Sequence, residues 1–236
     1  MRALGWLLGA FLTLGCSSEA IDGQSRSSTE PGPGPSDTSS TPPTSAASGN
    51  FEPQQSYPPG PYGHGLGAVI ENLEFIGWRD PAGASYDVNQ FEHVRLGDFY
   101  DPTGAQTELL VLNASAVWCV VCQSEARDMK TNDTYQAFHA RKVQMLTTLF
   151  EDQESNPAKP SDLVLWGSSK QREIDFPLVL DPALKMGIYF TSDATPLNLV
   201  IDARTMTIID VMMGYDGTPG TGMWGRIDQL LKARGL

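Results

Sequence analysis

The sequence predicts an α/β fold in which a mixed central sheet carries helices on both faces. Strand-like and helix-like segments alternate from about residue 109 onward, in the order strand–helix–strand–helix–strand. Strands that alternate with helices need parallel crossover connections. Two further strands follow with only a short turn between them, which predicts an antiparallel hairpin, and a helix closes the chain. The first 60 residues offer little to a core, so the fold is expected within residues 61–236, with its core at about 99–236.

The core elements follow from apolar patterning. The predicted strands cover 109–113, 143–150, 176–180, 197–201 and 207–213. A helix is predicted from Cys119 to about Arg141, with a kink or break at 131–134, where Thr-Asn-Asp-Thr interrupts the apolar stripe. Ser161 is the expected N-cap of the next helix, and Asp181 that of a short helix after it. The last helix has apolar residues at helical spacing, which are Met223, Trp224, Ile227, Leu230 and Leu231.

An N-terminal extension is predicted to pack on this core. Residues 62–104 contain several glycines and aromatic side chains. Partial alternation at 68–76 predicts a strand, and Gly-Trp-Arg-Asp-Pro-Ala-Gly at 77–83 predicts a turn. Residues 93–99 fit either a short strand or a turn.

The N-terminus has the pattern of an export signal. Arg2 precedes an apolar run at 3–12 that is too short to span a membrane, which indicates a secretory signal peptide at 1–15. The segment Leu-Thr-Leu-Gly-Cys at 12–16 resembles a bacterial lipobox, which implies cleavage before Cys16 and lipidation of that cysteine. Thr13 stands where such segments usually have Leu, so an ordinary export signal is the alternative.

Residues 17–60 are rich in Ser, Thr, Pro and Gly, which is typical of a disordered tether. With a lipid on Cys16, this tether would hold the domain away from a membrane in a bacterial envelope, facing the periplasm. Ser17 replaces the Asp that retains some lipoproteins at the inner membrane, which favours the outer membrane.

Charge argues against nucleic acid as a partner. The formal net charge is −12, and 24 acidic but only 14 basic residues lie beyond residue 49. An acidic domain without basic clusters has no positively charged surface that could bind phosphate backbones or anionic lipid. Membrane contact is therefore expected only through the lipid anchor.

The candidate chemistry lies in Trp-Cys-Val-Val-Cys at 118–122, which follows the first core strand. Cysteines at i and i+3 on the first helical turn share one face, near the separation of about 5.5 Å between Cα atoms that a disulfide favours. The helix N-terminus stabilises a thiolate at Cys119. The pair can therefore cycle between dithiol and disulfide. A purely structural disulfide is the alternative, but so small a loop contributes little stability.

Two motifs together resemble the thioredoxin superfamily: the Cys119–Cys122 motif after an apolar strand, and Thr195-Pro196 before a later strand. The sequence is most similar to the exported, membrane-anchored TlpA/ResA-like thiol–disulfide oxidoreductases over about residues 99–236. The resemblance implies a thioredoxin-like fold and a cis peptide bond before Pro196, beside the cysteines. It also implies that Thr195 and Pro196 contact substrate. Trp118, directly before Cys119, is expected to shield the pair and to present an apolar docking surface for substrate, with simple packing as the alternative.

One acidic residue also matches this family. Glu125 stands three residues after the second cysteine, where these proteins commonly carry an acid, and is a candidate base. A solvated carboxylate early in a helix is the alternative. Asn113 occupies the position of the buried Asp of thioredoxins, and an amide cannot act as a base.

The expected reaction is thiol–disulfide exchange in which Cys119 attacks a substrate disulfide and Cys122 resolves the mixed disulfide. It needs no metal and no organic cofactor. The implied partners are thiols and disulfides of envelope proteins and an unidentified electron donor.

Three alternatives use the same fold. A peroxiredoxin-like thiol peroxidase needs a Thr and a Pro before its cysteine that residues 115–118 do not supply. A copper chaperone uses two cysteines and a distant His, and His64, His93 and His139 lie outside the downstream region where that His is expected. A non-catalytic binding module would function without Cys119.

Overall fold

The computed structural model describes residues 56–217 and 221–236. The predicted signal peptide, the lipidation site Cys16 and the tether up to residue 55 lie outside the described residues.

Within the part of the chain that the structure describes, seven strands form one mixed sheet. Their bounds are β1 Glu74–Trp78, β2 Glu92–Arg95, β3 Leu109–Ser115, β4 Val143–Leu149, β5 Leu178–Leu180, β6 Leu197–Asp202 and β7 Thr207–Met213. The order across the sheet is β2-β1-β5-β4-β3-β6-β7. The central strands β3, β4 and β5 are parallel, whereas β6 pairs antiparallel with both β3 and β7. The predicted parallel crossovers and the final hairpin are confirmed.

Four α-helices of the described residues accompany the sheet: α1 Val120–Thr131, α2 Thr134–His139, α3 Pro160–Ser168 and α4 Met223–Ala233. Short 3-10 helices cover Val88–Gln90, Leu96–Phe99 and Lys185–Tyr189. The predicted break after the first helix is confirmed, since Asn132 ends α1 and Asp133 takes a left-handed φ of 48° before α2. No helix in the described ranges is long and apolar enough to cross a membrane.

The central strand is covered on both sides. Every residue of β3 is buried, including those that alternate between the two faces of the sheet. From α4, Met223, Ile227 and Leu231 enter the core, whereas Trp224 and Leu230 are partly buried beside it. The predicted α/β class, with a mixed sheet covered on both faces and an N-terminal extension, is confirmed.

The N-terminal extension joins the sheet itself. Strand β1 pairs antiparallel with β5 and with β2, so the β1–β2 hairpin extends the sheet beyond β5. The strand predicted at 68–76 is wrong in its bounds, because Gly77 and Trp78 belong to β1 rather than to a turn. Trp78 is buried and its indole nitrogen donates to the Asp87 carbonyl at 2.8 Å.

Residues 67–70 contact the other end of the sheet. The Gly67 amide donates to the Ile208 carbonyl at 2.8 Å, and the Ile70 amide donates to the Met206 carbonyl at 2.9 Å. Through these hydrogen bonds, this part of the predicted strand lies along the edge of the β6–β7 hairpin. The extension therefore reaches both edges of the core sheet.

Two predicted caps differ in detail. Helix α3 begins at Pro160, and Lys159 is its N-cap in place of Ser161, because Pro160 fits the first helical position. The Asp162 carboxylate accepts from the Lys159 amide at 2.8 Å. The short helix expected at Asp181 begins at Lys185, although the Asp181 carboxylate accepts from the amides of Lys185 and Met186.

Candidate redox-active site

The two cysteines of the motif form a disulfide at the N-terminus of α1. The sulfur–sulfur distance is 2.09 Å and the Cα atoms lie 5.3 Å apart. Cys119 is the N-cap residue, and its Sγ accepts from the Cys122 backbone amide at 3.0 Å. Cys119 is 3% exposed and Cys122 is 1% exposed. The outer sulfur therefore lies where the free N–H groups and the dipole of α1 favour negative charge.

The segment before β6 contacts this sulfur. The Thr195–Pro196 peptide bond is cis, as predicted. The Thr195 hydroxyl donates to Cys119 Sγ at 3.2 Å. Pro196 is buried, and its carbonyl accepts from the Gly214 amide at 2.7 Å at the end of β7. The structure thus brings Thr195 and Pro196 to the cysteine pair, and whether they bind substrate stays a prediction.

An apolar rim, formed by Trp118, Val120 and Val121, adjoins the disulfide in the chain. Trp118 is 37% exposed, Val120 is 70% exposed and Val121 is 42% exposed. The Trp118 indole nitrogen donates to Glu151 Oε2 at 2.6 Å, just beyond the end of β4. Exposed apolar side chains beside a reactive group provide a surface on which a polypeptide can dock.

Glu125 lies in a buried polar cluster. It is 1% exposed, three residues after Cys122 on the same face of α1. Asn113 Nδ2 donates to its Oε2 at 2.9 Å, and Asn198 Nδ2 donates to its Oε1 at 2.9 Å. The Ser115 hydroxyl donates to Asn113 Oδ1 at 2.8 Å. The interpretation of Glu125 as a solvated carboxylate is therefore wrong.

Burial raises the pKa of Glu125 from its ordinary value of 4.5 to about 7. Desolvation penalises the ionised carboxylate, and this effect exceeds the opposite effect of the hydrogen bonds from Asn198 and Asn113, which favour the charge. A carboxyl group with such a pKa can accept or release a proton near neutral pH.

Sequence reasoning missed two members of the site. Asn198 faces Asn113 because the two residues are paired across β3 and β6, a register that the sequence does not reveal. Glu151 reaches Trp118 from 33 residues away in the chain, and nothing in the local pattern marks it. For Asn198, the only available signal was a polar residue inside an apolar strand two positions after Pro196.

Within residues 56–217 and 221–236, no group of three or more His, Cys, Asp or Glu side chains could hold a metal ion. His93 pairs with Glu74 on the surface, and His139 stacks on Tyr135. Neither histidine forms a hydrogen bond with the cysteine pair in this structure.

Comparisons with known proteins identify the fold. No protein-family model and no curated protein sequence matches the chain. A candidate thiol:disulfide interchange protein DsbE from Chlorobium tepidum superposes with a TM-score of 0.51 at 16% identity, over 72% of this chain and 98% of that one. A candidate protein disulfide isomerase from Bacteroides thetaiotaomicron gives a TM-score of 0.50 at 17% identity, over 71% and 90% of the two chains. The described part of the chain therefore has a thioredoxin-like α/β fold.

Proposed function

We propose that the protein is a thiol–disulfide oxidoreductase that works through Cys119 and Cys122. One observation carries the proposal: a disulfide caps a helix N-terminus, and a threonine preceding a cis proline donates to its outer sulfur. Both solved structures compared above are named for disulfide interchange or isomerisation, which supports the same chemistry.

The reaction consists of two exchanges of sulfur–sulfur bonds. In the reduced protein, the Cys119 thiolate attacks one sulfur of a substrate disulfide, whose bond breaks and whose second sulfur leaves as a thiolate. Cys122 then loses its proton and attacks Cys119 Sγ, which releases the first substrate sulfur as a thiolate and forms the Cys119–Cys122 disulfide. The substrate gains two electrons and the protein loses two, and the reverse sequence oxidises a dithiol.

Local groups fit these roles. The dipole of α1 and the Thr195 hydroxyl both favour a thiolate at Cys119 over a thiol. The apolar rim offers a docking surface for an unfolded or extended substrate segment, and the cis proline segment flanks the same sulfur. Both cysteines are nearly buried, so attack on a substrate disulfide needs the substrate to dock closely against Cys119.

Glu125 is the proposed acceptor of the Cys122 proton. It lies one helical turn beyond Cys122, and both side chains are buried on the sheet-facing side of α1. A pKa of about 7 keeps a useful fraction of the carboxylate ionised near neutral pH. The amide of Asn113, at the position of the buried aspartate in thioredoxins, holds this carboxylate instead of acting as the base.

The cellular setting is proposed from the N-terminal sequence. A signal peptide at 1–15, a lipidated Cys16 and a tether would place the domain in a bacterial envelope, facing the periplasm, with Ser17 favouring the outer membrane. Its partners there would be exported proteins with thiols or disulfides and an electron donor. Replacement of Cys16 by Ala should release the protein from membranes; retention in the membrane fraction would contradict lipid anchoring.

The function is tested by equilibrating the protein in dithiothreitol or glutathione redox buffers. We expect reversible interconversion of the pair, lost in Cys119→Ser, while Cys122→Ser should accumulate mixed disulfides with substrates. A reduction potential near about −270 mV would favour a reductase and one near about −120 mV an oxidant. A pair that does not interconvert would contradict the proposal and leave a binding module as the explanation.

A further inference from the structure

We propose that Asn198 is a positioning residue for thiol–disulfide exchange. Its side-chain amide holds the Glu125 carboxylate at its place one helical turn beyond Cys122. This inference rests on the proposed function, and it adds a residue from β6 to a site otherwise built on α1 and on the segment before β6. No sequence motif marks Asn198 for such a role.

The hydrogen bonds of the cluster fix the direction of each amide. Asn113 Nδ2 donates both to Glu125 Oε2 and to Asn198 Oδ1, the latter at 2.8 Å. Because the Asn198 oxygen is occupied as an acceptor, its nitrogen is turned toward Glu125 Oε1. Each oxygen of the Glu125 carboxylate therefore receives one N–H, one from each asparagine, while the second N–H of Asn113 holds the Asn198 amide in its orientation.

The strands hold the two asparagines rigidly. Asn113 and Asn198 are directly opposite each other in the antiparallel β3–β6 pair, and both are at most 2% exposed. Buried polar side chains on paired strands have little freedom to turn away. A buried amide left without its hydrogen bond would lower the stability of the fold by the free energy of its desolvation. The carboxylate is thus held by the sheet, not only by its own helix.

Asn198 also links the carboxylate to the substrate side of the site. It lies two residues after Pro196 and three after Thr195, whose hydroxyl contacts Cys119 Sγ. The short segment 195–198 therefore contacts α1 at two points, the outer sulfur and the carboxylate one turn beyond Cys122. A displacement of this segment would move both contacts together.

Few ionisable groups face Glu125. On its own helix these are Cys122, bonded to Cys119 in this structure, and Asp128 one turn further along, whereas β3 and β6 present the uncharged Asn113, Ser115 and Asn198. From the segment after β7, the Tyr215 hydroxyl donates to Asp128 at 3.0 Å; burial, then this hydrogen bond, and then the charges of Asp128 and Glu125 raise the pKa of Tyr215. With its pKa raised, Tyr215 stays protonated across the neutral range, so the amides are the groups that compensate the Glu125 charge.

The expected effect has a definite sign. An N–H that donates to a carboxylate stabilises its ionised form, so removing the Asn198 amide should raise the pKa of Glu125. If Glu125 accepts the Cys122 proton, the pH at which the second exchange reaches half its maximal rate should rise with it.

The experiment measures that second exchange directly. Reduced full-length protein is mixed with 5,5′-dithiobis(2-nitrobenzoate): Cys119 displaces one coloured thiolate, and Cys122 then displaces the other from the mixed disulfide. The second, concentration-independent release is followed from pH 5 to 9. We expect Asn198→Ala to raise its midpoint by about one pH unit or more, in line with the strength of hydrogen bonds to charged groups.

Three further variants keep the result interpretable. Asn198→Asp has nearly the same shape but sets a second carboxyl group against Glu125, so its midpoint should rise further. Asn89→Ala, at an exposed asparagine bonded to Asp87, should leave the midpoint unchanged. In Glu125→Gln the midpoint should move to the more alkaline pH at which Cys122 ionises without a base, and adding Asn198→Ala to that background should shift it no further.

The outcomes separate the two proposals. Absence of the second release in the parent protein at every pH would overturn the exchange function itself. If the parent protein shows the second release, and its midpoint is the same as those of Asn198→Ala and Asn198→Asp, only the positioning role is overturned. An equal shift in Asn198→Ala with and without Glu125 would also overturn it, since the effect would then not pass through the carboxylate.

Discussion

Glu125 shows how a single side chain takes its chemistry from its surroundings. On the surface of a helix, this residue would be an ordinary carboxylate. Here burial between α1 and the sheet raises its pKa to about 7, and two amides from different strands limit that rise by favouring the ionised form. The residue is thereby adjusted to exchange a proton near neutral pH.

This shift makes folding stability depend on pH. Glu125 has a pKa of about 7 in the folded protein against an ordinary 4.5, so the folded state binds the additional proton between these values. The free energy of unfolding of the oxidised protein should therefore fall as pH rises from about 5 to 8, by about 3 kcal/mol from this group. Glu125→Gln should lack this component.

Urea unfolding of the oxidised parent and of Glu125→Gln, at half-unit steps from pH 5 to 8, provides the measurement. The comparison concerns the slope with pH and not the absolute stability, because the glutamine amide places a donor against one of the asparagine donors. Equal slopes in the two proteins would show that Glu125 does not titrate in this range.

Residues with a local signature were predictable, and those defined by tertiary pairing were not. The Cys119–Cys122 spacing and the Thr195-Pro196 pair are visible in the sequence, and the disulfide and the cis bond are confirmed. Asn198 acquires its contacts only when β6 pairs with β3 in one particular register. A one-residue slip would turn it to the opposite face of the sheet.

At the scale of elements, the core was predictable and the extension was not. The strands and helices from residue 109 onward follow strong apolar patterns, and they were placed to within a few residues. In the extension, Gly77 and Trp78 carry the signature of a turn, yet they pair with Val179 and Leu178 in β5. Tertiary contact overrides local propensity there, because a glycine allows two backbones to approach closely.

Gly77 tests this account. A Cβ atom at this position would lie 2.3 Å from the Leu178 carbonyl oxygen and 2.6 Å from Val179 Cα, both backbone atoms of β5. Gly77→Ala should therefore force β1 away from β5 and lower the free energy of unfolding by about 1–3 kcal/mol or more. Chemical denaturation with circular dichroism detection measures this change.

Gly65→Ala is the matched control, since a Cβ there meets nothing within 4 Å. It should change stability by no more than about 0.5 kcal/mol. Because the disulfide lies on α1, Gly77→Ala should leave the reduction potential unaltered. Equal stability of the two alanine variants would show that β1 does not need the close approach at Gly77.

At the scale of the whole molecule, the described residues contain the seven-stranded sheet, the cysteine pair and the polar cluster around Glu125. Near the start of the described residues, the Tyr57 hydroxyl donates to the Ile70 carbonyl at 2.8 Å, and the ring of Tyr57 packs on Tyr100 with ring centroids 5.9 Å apart. The composition of the preceding residues, rich in Ser, Thr, Pro and Gly, favours a tether and not a second core.

Two truncations therefore have different expected outcomes. A protein that starts at residue 56 keeps Tyr57, and it should match the full chain in reduction potential and in urea midpoint. A protein that starts at residue 66 loses Tyr57 and the bond from the Gly63 amide to the Val69 carbonyl at 3.0 Å. It should unfold at lower urea while its disulfide keeps the same potential, because these contacts lie in the extension and not at α1.

The pair of truncations separates folding from attachment. If the tether serves only to hold the domain at a membrane, removing residues 1–55 abolishes membrane association and changes neither stability nor exchange. A lower urea midpoint in the protein starting at residue 56 would mean that the preceding residues stabilise the domain. A changed reduction potential in that protein would mean that they act on the cysteine pair, and the division of the chain into tether and redox domain would then be wrong.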